Sequence, residues 1–140
     1  MNQSDLKKKI IDIISNHKTG VLSTVENNKP HSRYMTFYHD DLTLYAPTKA
    51  NTEKIDELEK NSNVSVLLGY ESKGLNDTYI QITGTSIIAD SPALKEQYWN
   101  DSFQKWFDGP EDPNFVLMQI QPETIRVLNN NGGPTQELNV

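Results

Sequence analysis

The 140-residue chain contains no cysteine, which excludes a disulfide framework, thiol catalysis and zinc–thiolate sites. That absence suits a reducing cytoplasm. Positive charge is also scarce: 13 Lys and Arg stand against 19 Asp and Glu, for a net charge of −6. Such a balance argues against a general nucleic-acid-binding surface, which relies on basic residues. No run of about 18 apolar residues occurs, so no membrane-crossing helix is expected. The polar start Met1 to Lys9, with Lys7-Lys8-Lys9, leads into no apolar stretch of signal-peptide length. A soluble, cytoplasmic protein is the expectation. Repeats, low-complexity tracts and Pro/Gly/Ser-rich linkers are missing as well, so one domain is expected over 1–140. Asn129-Asn130-Asn131-Gly132-Gly133-Pro134 reads as the start of a loosely ordered tail over 129–140.

Catalytic signatures are equally sparse. There is neither GxGxxG nor GxxxxGK[ST], so the usual nucleotide-binding loops are absent. His17, His31 and His39 have no HExxH spacing and no accompanying carboxylate pattern, and no metal is expected. A GxSxG elbow that would expose a nucleophilic serine is missing too. Hydrolase chemistry has no support.

What is present is a series of short strands. Leu6, Ile10, Ile13, Ile14 and His17 recur at helical spacing behind a cap at Ser4 or Asp5, with Gly20 as the stop. Val21 to Val25 alternates, Glu26-Asn27-Asn28-Lys29 turns, and Pro30 to Tyr38 is extended, which reads as a hairpin. After His39-Asp40-Asp41, Leu42 to Ala46 completes an expected three-strand antiparallel meander. Thr52 opens a helix with Ile55 and Leu58 on its apolar stripe. Val64 to Tyr70 is a strand, Glu71 to Asp77 a polar loop, and Thr78 to Ala89 a long strand in which Gly84 marks a bulge or bend. Ser91-Pro92 starts a helix carrying Leu94, Tyr98 and Trp99. Phe115 to Gln121 and Thr124 to Leu128 follow as two strands broken by Pro122. Six or seven such strands with few helices point to a mainly β fold, a small antiparallel barrel with flanking helices.

One concentration of donors stands out in this acidic chain. Arg33 has a planar fork suited to phosphate or carboxylate, Lys49 and Lys54 are point charges, and Thr48 and Thr52 are hydroxyl donors. If Thr52 begins a helix, its free amides point at the same anion. The competing reading is ordinary surface: Arg33 solvated, Lys54 paired with Glu57 one turn on, and Thr52 only a cap. Tyr98, Trp99, Phe103, Trp106 and Phe107 fit a planar ligand or, equally, a core or subunit interface.

The run Pro30-His31-Ser32-Arg33-Tyr34-Met35-Thr36-Phe37, the strand end Leu44-Tyr45-Ala46-Pro47-Thr48, the helix start Thr52-Glu53-Lys54 and the later Trp106 to Pro113 segment resemble the general stress protein 26 type of the pyridoxamine 5'-phosphate oxidase-like superfamily. The similarity runs from about Leu6 to Leu128. It implies an FMN-binding split antiparallel β-barrel and a homodimer with FMN at the subunit interface. By position, Arg33 resembles the arginine that meets the FMN phosphate, and Tyr34, Met35 and Thr36 the strand residues along the flavin ring. Tyr45 and Ala46 match the next strand end, and Thr52 and Lys54 the second phosphate-contacting segment. Thr48 and Lys49 lie on a longer connection beside it. Tyr79 falls near a position where the oxidases use glutamine. Trp106 is the aromatic group expected to approach the ring from the partner subunit.

The resemblance stops short of the oxidases' C-terminal Arg-x-His segment, so pyridoxamine phosphate oxidation is not expected. A flavin brings its own redox chemistry and requires no side-chain acid or base. The leading expectation is therefore an FMN-dependent oxidoreductase of unknown small-molecule substrate, the acidic Asp108 to Asp112 loop bordering the substrate opening. The alternative is a non-catalytic flavin carrier or redox buffer in stress. A haem or deazaflavin ligand is a third reading, disfavoured for haem by the lack of an evident axial ligand.

Overall fold

The computed structural model describes residues 2–74 and 77–140. Leu75 and Asn76 of the expected Glu71–Asp77 loop, and Met1, lie outside the described residues. Among the described residues eight strands form one antiparallel sheet. They are β1 (Thr19–Glu26), β2 (Lys29–Thr36), β3 (Tyr38–Asp40), β4 (Thr43–Lys49), β5 (Asn63–Leu68), β6 (Tyr79–Ile88), β7 (Phe115–Leu128) and β8 (Gln136–Asn139). The order is β2-β1-β5-β6-β7-β4-β3, with β8 also on β7. The sheet curls into the half-barrel of a split-barrel fold. Among the described residues three α-helices flank it: α1 (Gln3–Asn16), α2 (Glu53–Lys60) and α3 (Pro92–Gln97).

The pleat explains the core. Strict alternation places Leu22, Val66, Ile82, Ile125 and Leu138 opposite one another in a row across β1, β5, β6, β7 and β8. All five are buried, each removing apolar surface worth roughly 1.5–3 kcal/mol from water. Helix α1 covers this face with Leu6, Ile10 and Ile14, which are four residues apart and fully buried. Its N-cap is Asn2, whose side chain accepts from the Asp5 amide at 2.8 Å, rather than Ser4 or Asp5. The helix ends at Asn16, and Gly20 already belongs to β1.

Three other expectations are corrected. The Pro30–Tyr38 run is not one strand, and no three-strand meander forms. The chain leaves β2 after Thr36, the Phe37 amide bonds to the Lys18 carbonyl, and Tyr38–Asp40 pairs with β4 on the other side of the half-barrel. Pro122 does not break the last strand. It lies in β7 opposite Gly84, where the register shifts by one residue, so its missing N–H falls at an irregularity in the ladder. Nor is the end of the chain loose: after a 3-10 turn at Asn130–Gly132, β8 pairs with β7 from Thr124 to Val127. Gln3 ties it to α1, donating to the Glu137 carbonyl at 3.1 Å and accepting from the Asn139 amide at 3.0 Å. Among the described residues no helix is long and apolar enough to cross a membrane.

Candidate functional site

A cavity of about 540 Å³ opens beside the edge strand β2. Tyr34, Met35 and Thr36 of β2 form one wall, extended by Tyr38 and by Thr19, which stands opposite Thr36 in the β1–β2 register. The end of β4 supplies Pro47, Thr48 and Lys49, and the start of α2 supplies Thr52 and Lys54. Asn100, Ser102, Phe103, Trp106 and Phe107 close the remaining side from the 3-10 segment Asp101–Lys105 and the residues around it. One end is thus rich in ammonium and hydroxyl groups and the rest is largely aromatic.

At the polar end, Lys54 Nζ donates to Thr52 Oγ1 at 3.2 Å, and that hydroxyl donates to the Lys49 carbonyl at 3.2 Å. Thr52 is the N-cap residue of α2, but its side chain makes no cap bond. Among the described residues no side chain accepts from the first-turn amides of Glu53 and Lys54, as an anion-binding helix end requires. Among the described residues neither Lys49 nor Lys54 has a carboxylate partner. Burial lowers the Lys54 pKa from the usual lysine value, and the neighbouring Arg33 charge lowers it further.

The aromatic side is held by edge-on packing. Trp99 and Phe107 each meet Phe115 with ring centroids 5.2 Å apart, at interplanar angles of 89° and 62°. This cluster fixes the 3-10 segment against β7 and leaves Trp106 at 59% exposure on the cavity rim. Tyr98 departs from the group, stacking on Tyr45 at 4.7 Å.

Arg33 lies behind the cavity rather than among its lining residues. In the β1–β2 ladder Arg33 pairs with Leu22 and His31 with Thr24, so all four share the face on which α2 packs. Arg33 Nη1 donates to Thr24 Oγ1 at 2.7 Å and to the Leu22 carbonyl at 3.4 Å, and Nη2 donates to Glu57 Oε2 at 3.2 Å. Thr24 Oγ1 donates to the same Glu57 oxygen, and His31 Nδ1 lies 2.7 Å from Oε1. The Glu57 side chain is 1% exposed. Burial pushes its pKa up, but hydrogen bonds from Thr24, His31 and Arg33, with the Arg33 charge, outweigh it and hold the value at about 2. Glu26 brings a third ligand-type group near His31 and Glu57, within 4.8 Å. Both Glu57 oxygens already accept from these donors, and Glu26 faces Lys60 at 4.0 Å.

Comparison with known proteins identifies the family. The family model described as pyridoxamine 5'-phosphate oxidase like matches residues 5–138. The chain belongs to the pyridoxamine 5'-phosphate oxidase-like family. It is 49% identical over 129 residues to general stress protein 26 of Bacillus subtilis strain 168, covering 92% of each chain. The crystal structure of general stress protein 26 from Bacillus anthracis Sterne is 43% identical, with a TM-score of 0.84 over 96% of this chain and 98% of that one. A protein from Clostridium acetobutylicum related to general stress protein 26 is 18% identical at a TM-score of 0.80, over 100% of this chain and 97% of that one. This last likeness is one of fold.

Within this pyridoxamine 5'-phosphate oxidase-like chain, Tyr34, Met35, Thr36, Thr48, Lys49, Thr52, Lys54 and Trp106 converge on the one cavity. Arg33 stands one layer behind, held by Glu57 rather than free in solvent, and it is Arg33, not Lys54, that pairs with Glu57. Tyr45 and Ala46 are buried and do not line the cavity. Tyr79 packs edge-on against Tyr70 away from it. Trp106, expected to reach the ring from a partner, lies on the rim of its own chain's cavity. The Asp108–Asp112 loop is held from within, the Asp112 carboxylate accepting from the Asp108 and Asn114 amides at 2.9 Å. Sequence reasoning missed Thr19, Tyr38, Asn100 and Ser102 on the cavity wall and Thr24 and Glu57 behind it. Thr19 was accessible from the hairpin register. For Glu57 the sequence carries no signal, because its role depends on which way α2 faces.

Proposed function

We propose that this chain binds FMN in the β2–α2 cavity and uses it as a flavin-dependent oxidoreductase. The observation that carries this reading is one cavity joining an ammonium–hydroxyl end to an aromatic wall, with the volume of a small-ligand site. The residues present fit the cofactor. Lys54, Thr52, Lys49 and Thr48 would hold the phosphate with Arg33 behind them, while Tyr34, Met35 and Thr36 would brace the ring. Bound FMN would supply the redox chemistry. No carboxylate or imidazole lines the cavity among the described residues, so the protein's part is to bind, orient and shield. Tyr34 at 79% and Trp106 at 59% exposure leave the aromatic wall open in one chain. A second copy would cover it, making the functional unit a homodimer.

The test is direct. Purified protein should carry, or take up, one FMN per chain, seen as a flavin absorption spectrum and as FMN released on denaturation. No bound flavin and no uptake of added FMN would overturn the assignment. Steady-state reduction by nicotinamide donors, with reoxidation by added electron acceptors, then measures turnover. Tight binding without turnover across donors and acceptors would reduce the activity to flavin carriage.

A further inference from the structure

We infer that Glu57 is a positioning residue for the anion end of the cavity, fixing the Arg33 guanidinium so that only part of its donor fork remains for a phosphate. This rests on the FMN reading above.

The donor count supports it first. A guanidinium has five N–H donors in a rigid plane. Two on Nη1 go to Thr24 and the Leu22 carbonyl, and one on Nη2 goes to Glu57. Among the described residues nothing accepts from Nε or from the second N–H of Nη2. Arg33 thus has its plane fixed by three acceptors on β1 and α2 and keeps two donors in reserve.

Helix geometry supports it second. Glu57 is three residues after Lys54, about one turn along α2. The helix that brings Lys54 to the cavity therefore also brings Glu57 to Arg33, and the relative placement of the two cations depends on this pair. His31 lies on the solvent side of Glu57, 43% exposed, and fills its second oxygen.

Charge supports it third. A buried carboxylate beside an anion site opposes the anion electrostatically, and its burial costs free energy unless donors surround it. Glu57 has those donors and remains ionised. Removing its charge has two opposite effects on phosphate affinity: loss of repulsion strengthens binding, whereas loss of orientation weakens it. The sign of the change tells which role Glu57 plays.

The experiment measures FMN and riboflavin dissociation constants by flavin fluorescence for the wild type, Glu57→Gln, Thr24→Val, Arg33→Ala and the double variant Glu57→Gln/Arg33→Ala. Positioning predicts that Glu57→Gln weakens FMN about tenfold, the scale of one charge-assisted hydrogen bond, and leaves riboflavin within about twofold. Thr24→Val, close in volume, strips one of the two Nη1 acceptors together with the hydroxyl that donates to Glu57, keeps the carboxylate on Nη2, and should give a smaller loss of the same selectivity. In the Arg33→Ala background Glu57→Gln should no longer weaken FMN, because there is no guanidinium left to orient. Tighter FMN binding by Glu57→Gln, or equal loss for both flavins, overturns the proposal. A flavin-independent measurement guards against misfolding and against failure of the FMN reading itself. The chain has two arginines, Arg33 and Arg126, and Arg126 is exposed, so their side-chain Nε signals are readily assigned. Nitrogen-15 relaxation should show Arg33 more rigid than Arg126 in the wild type and mobile in Thr24→Val and Glu57→Gln. An Arg33 as mobile as Arg126 in the wild type overturns the proposal whether or not FMN binds.

Discussion

Lys54 concentrates the pH sensitivity of the cavity. Its ammonium is partly removed from water beside a second cation, and both effects favour the neutral amine. A dianionic phosphate favours the charged form, so binding raises the Lys54 pKa and is strongest where the free protein's Lys54 is still protonated. FMN affinity should therefore fall as pH rises through a value below the ordinary 10.5 of lysine. Riboflavin shares the ring's own titration but lacks the phosphate, so it should show no such fall. Lys54→Arg keeps the charge at every accessible pH and should remove the alkaline loss, at the cost of a several-fold weaker complex from altered geometry. An alkaline limb unchanged in Lys54→Arg would assign it to another group. Lys54 was legible because a Thr-x-Lys start places a hydroxyl and an ammonium on one helix end. Arg33 was half legible. Its residue type announced an anion partner, but period-two alternation puts it on the opposite face of β2 from Tyr34 and Thr36, toward a carboxylate the sequence could not place.

At the level of elements, the β6–β7 pairing shows which signals survive without coordinates. Gly84 reads as a bulge, and the register does shift between Thr83 and Gly84. Pro122 reads as a strand break, yet β7 runs through it, because the two irregular residues face each other and share one defect. The backbones approach so closely that a Cβ on Gly84 would overlap the Gln121 carbonyl. Gly84→Ala should therefore destabilise by about 2–3 kcal/mol, as overpacking against backbone does, and lower the thermal midpoint by several degrees. A melting temperature within a degree of the wild type would show that β7 can shift freely. The β2–β4 meander and the loose tail failed for another reason. Local turn signals specify that a strand ends, not which neighbour the next one finds. Tyr38–Asp40 crosses to β4 because Phe37, buried in the core, turns the chain inward. Gln136–Asn139 pairs with β7 because Leu138 completes the buried row that runs back to Leu22.

For the whole molecule the unanswered surface is the outer face of β2, β1 and β5. Registers Val21–Tyr34 and Val21–Leu67 set these three side chains side by side, with Tyr34 at 79% and Leu67 at 38% exposure. Tyr34 also lines the cavity, so a second copy seated on this row would reach the open side of the proposed flavin site. A stable interface needs roughly 800 Å² per partner, with apolar and aromatic residues at its centre. A carboxylate introduced there would be buried without a partner. Leu67→Glu should consequently shift the proposed dimer to monomer in sedimentation velocity at micromolar concentration. It should weaken FMN and riboflavin together, because covering the ring, not holding the phosphate, is what is lost. Leu67→Met preserves volume and should remain dimeric with normal flavin affinity. The two flavins thus separate the levels: a defect at Lys54 or Glu57 discriminates between them, and a defect at Leu67 does not. Leu67→Glu that stays dimeric, or a monomer that binds FMN as tightly as the wild type, would remove this face from the interface and the partner from the site.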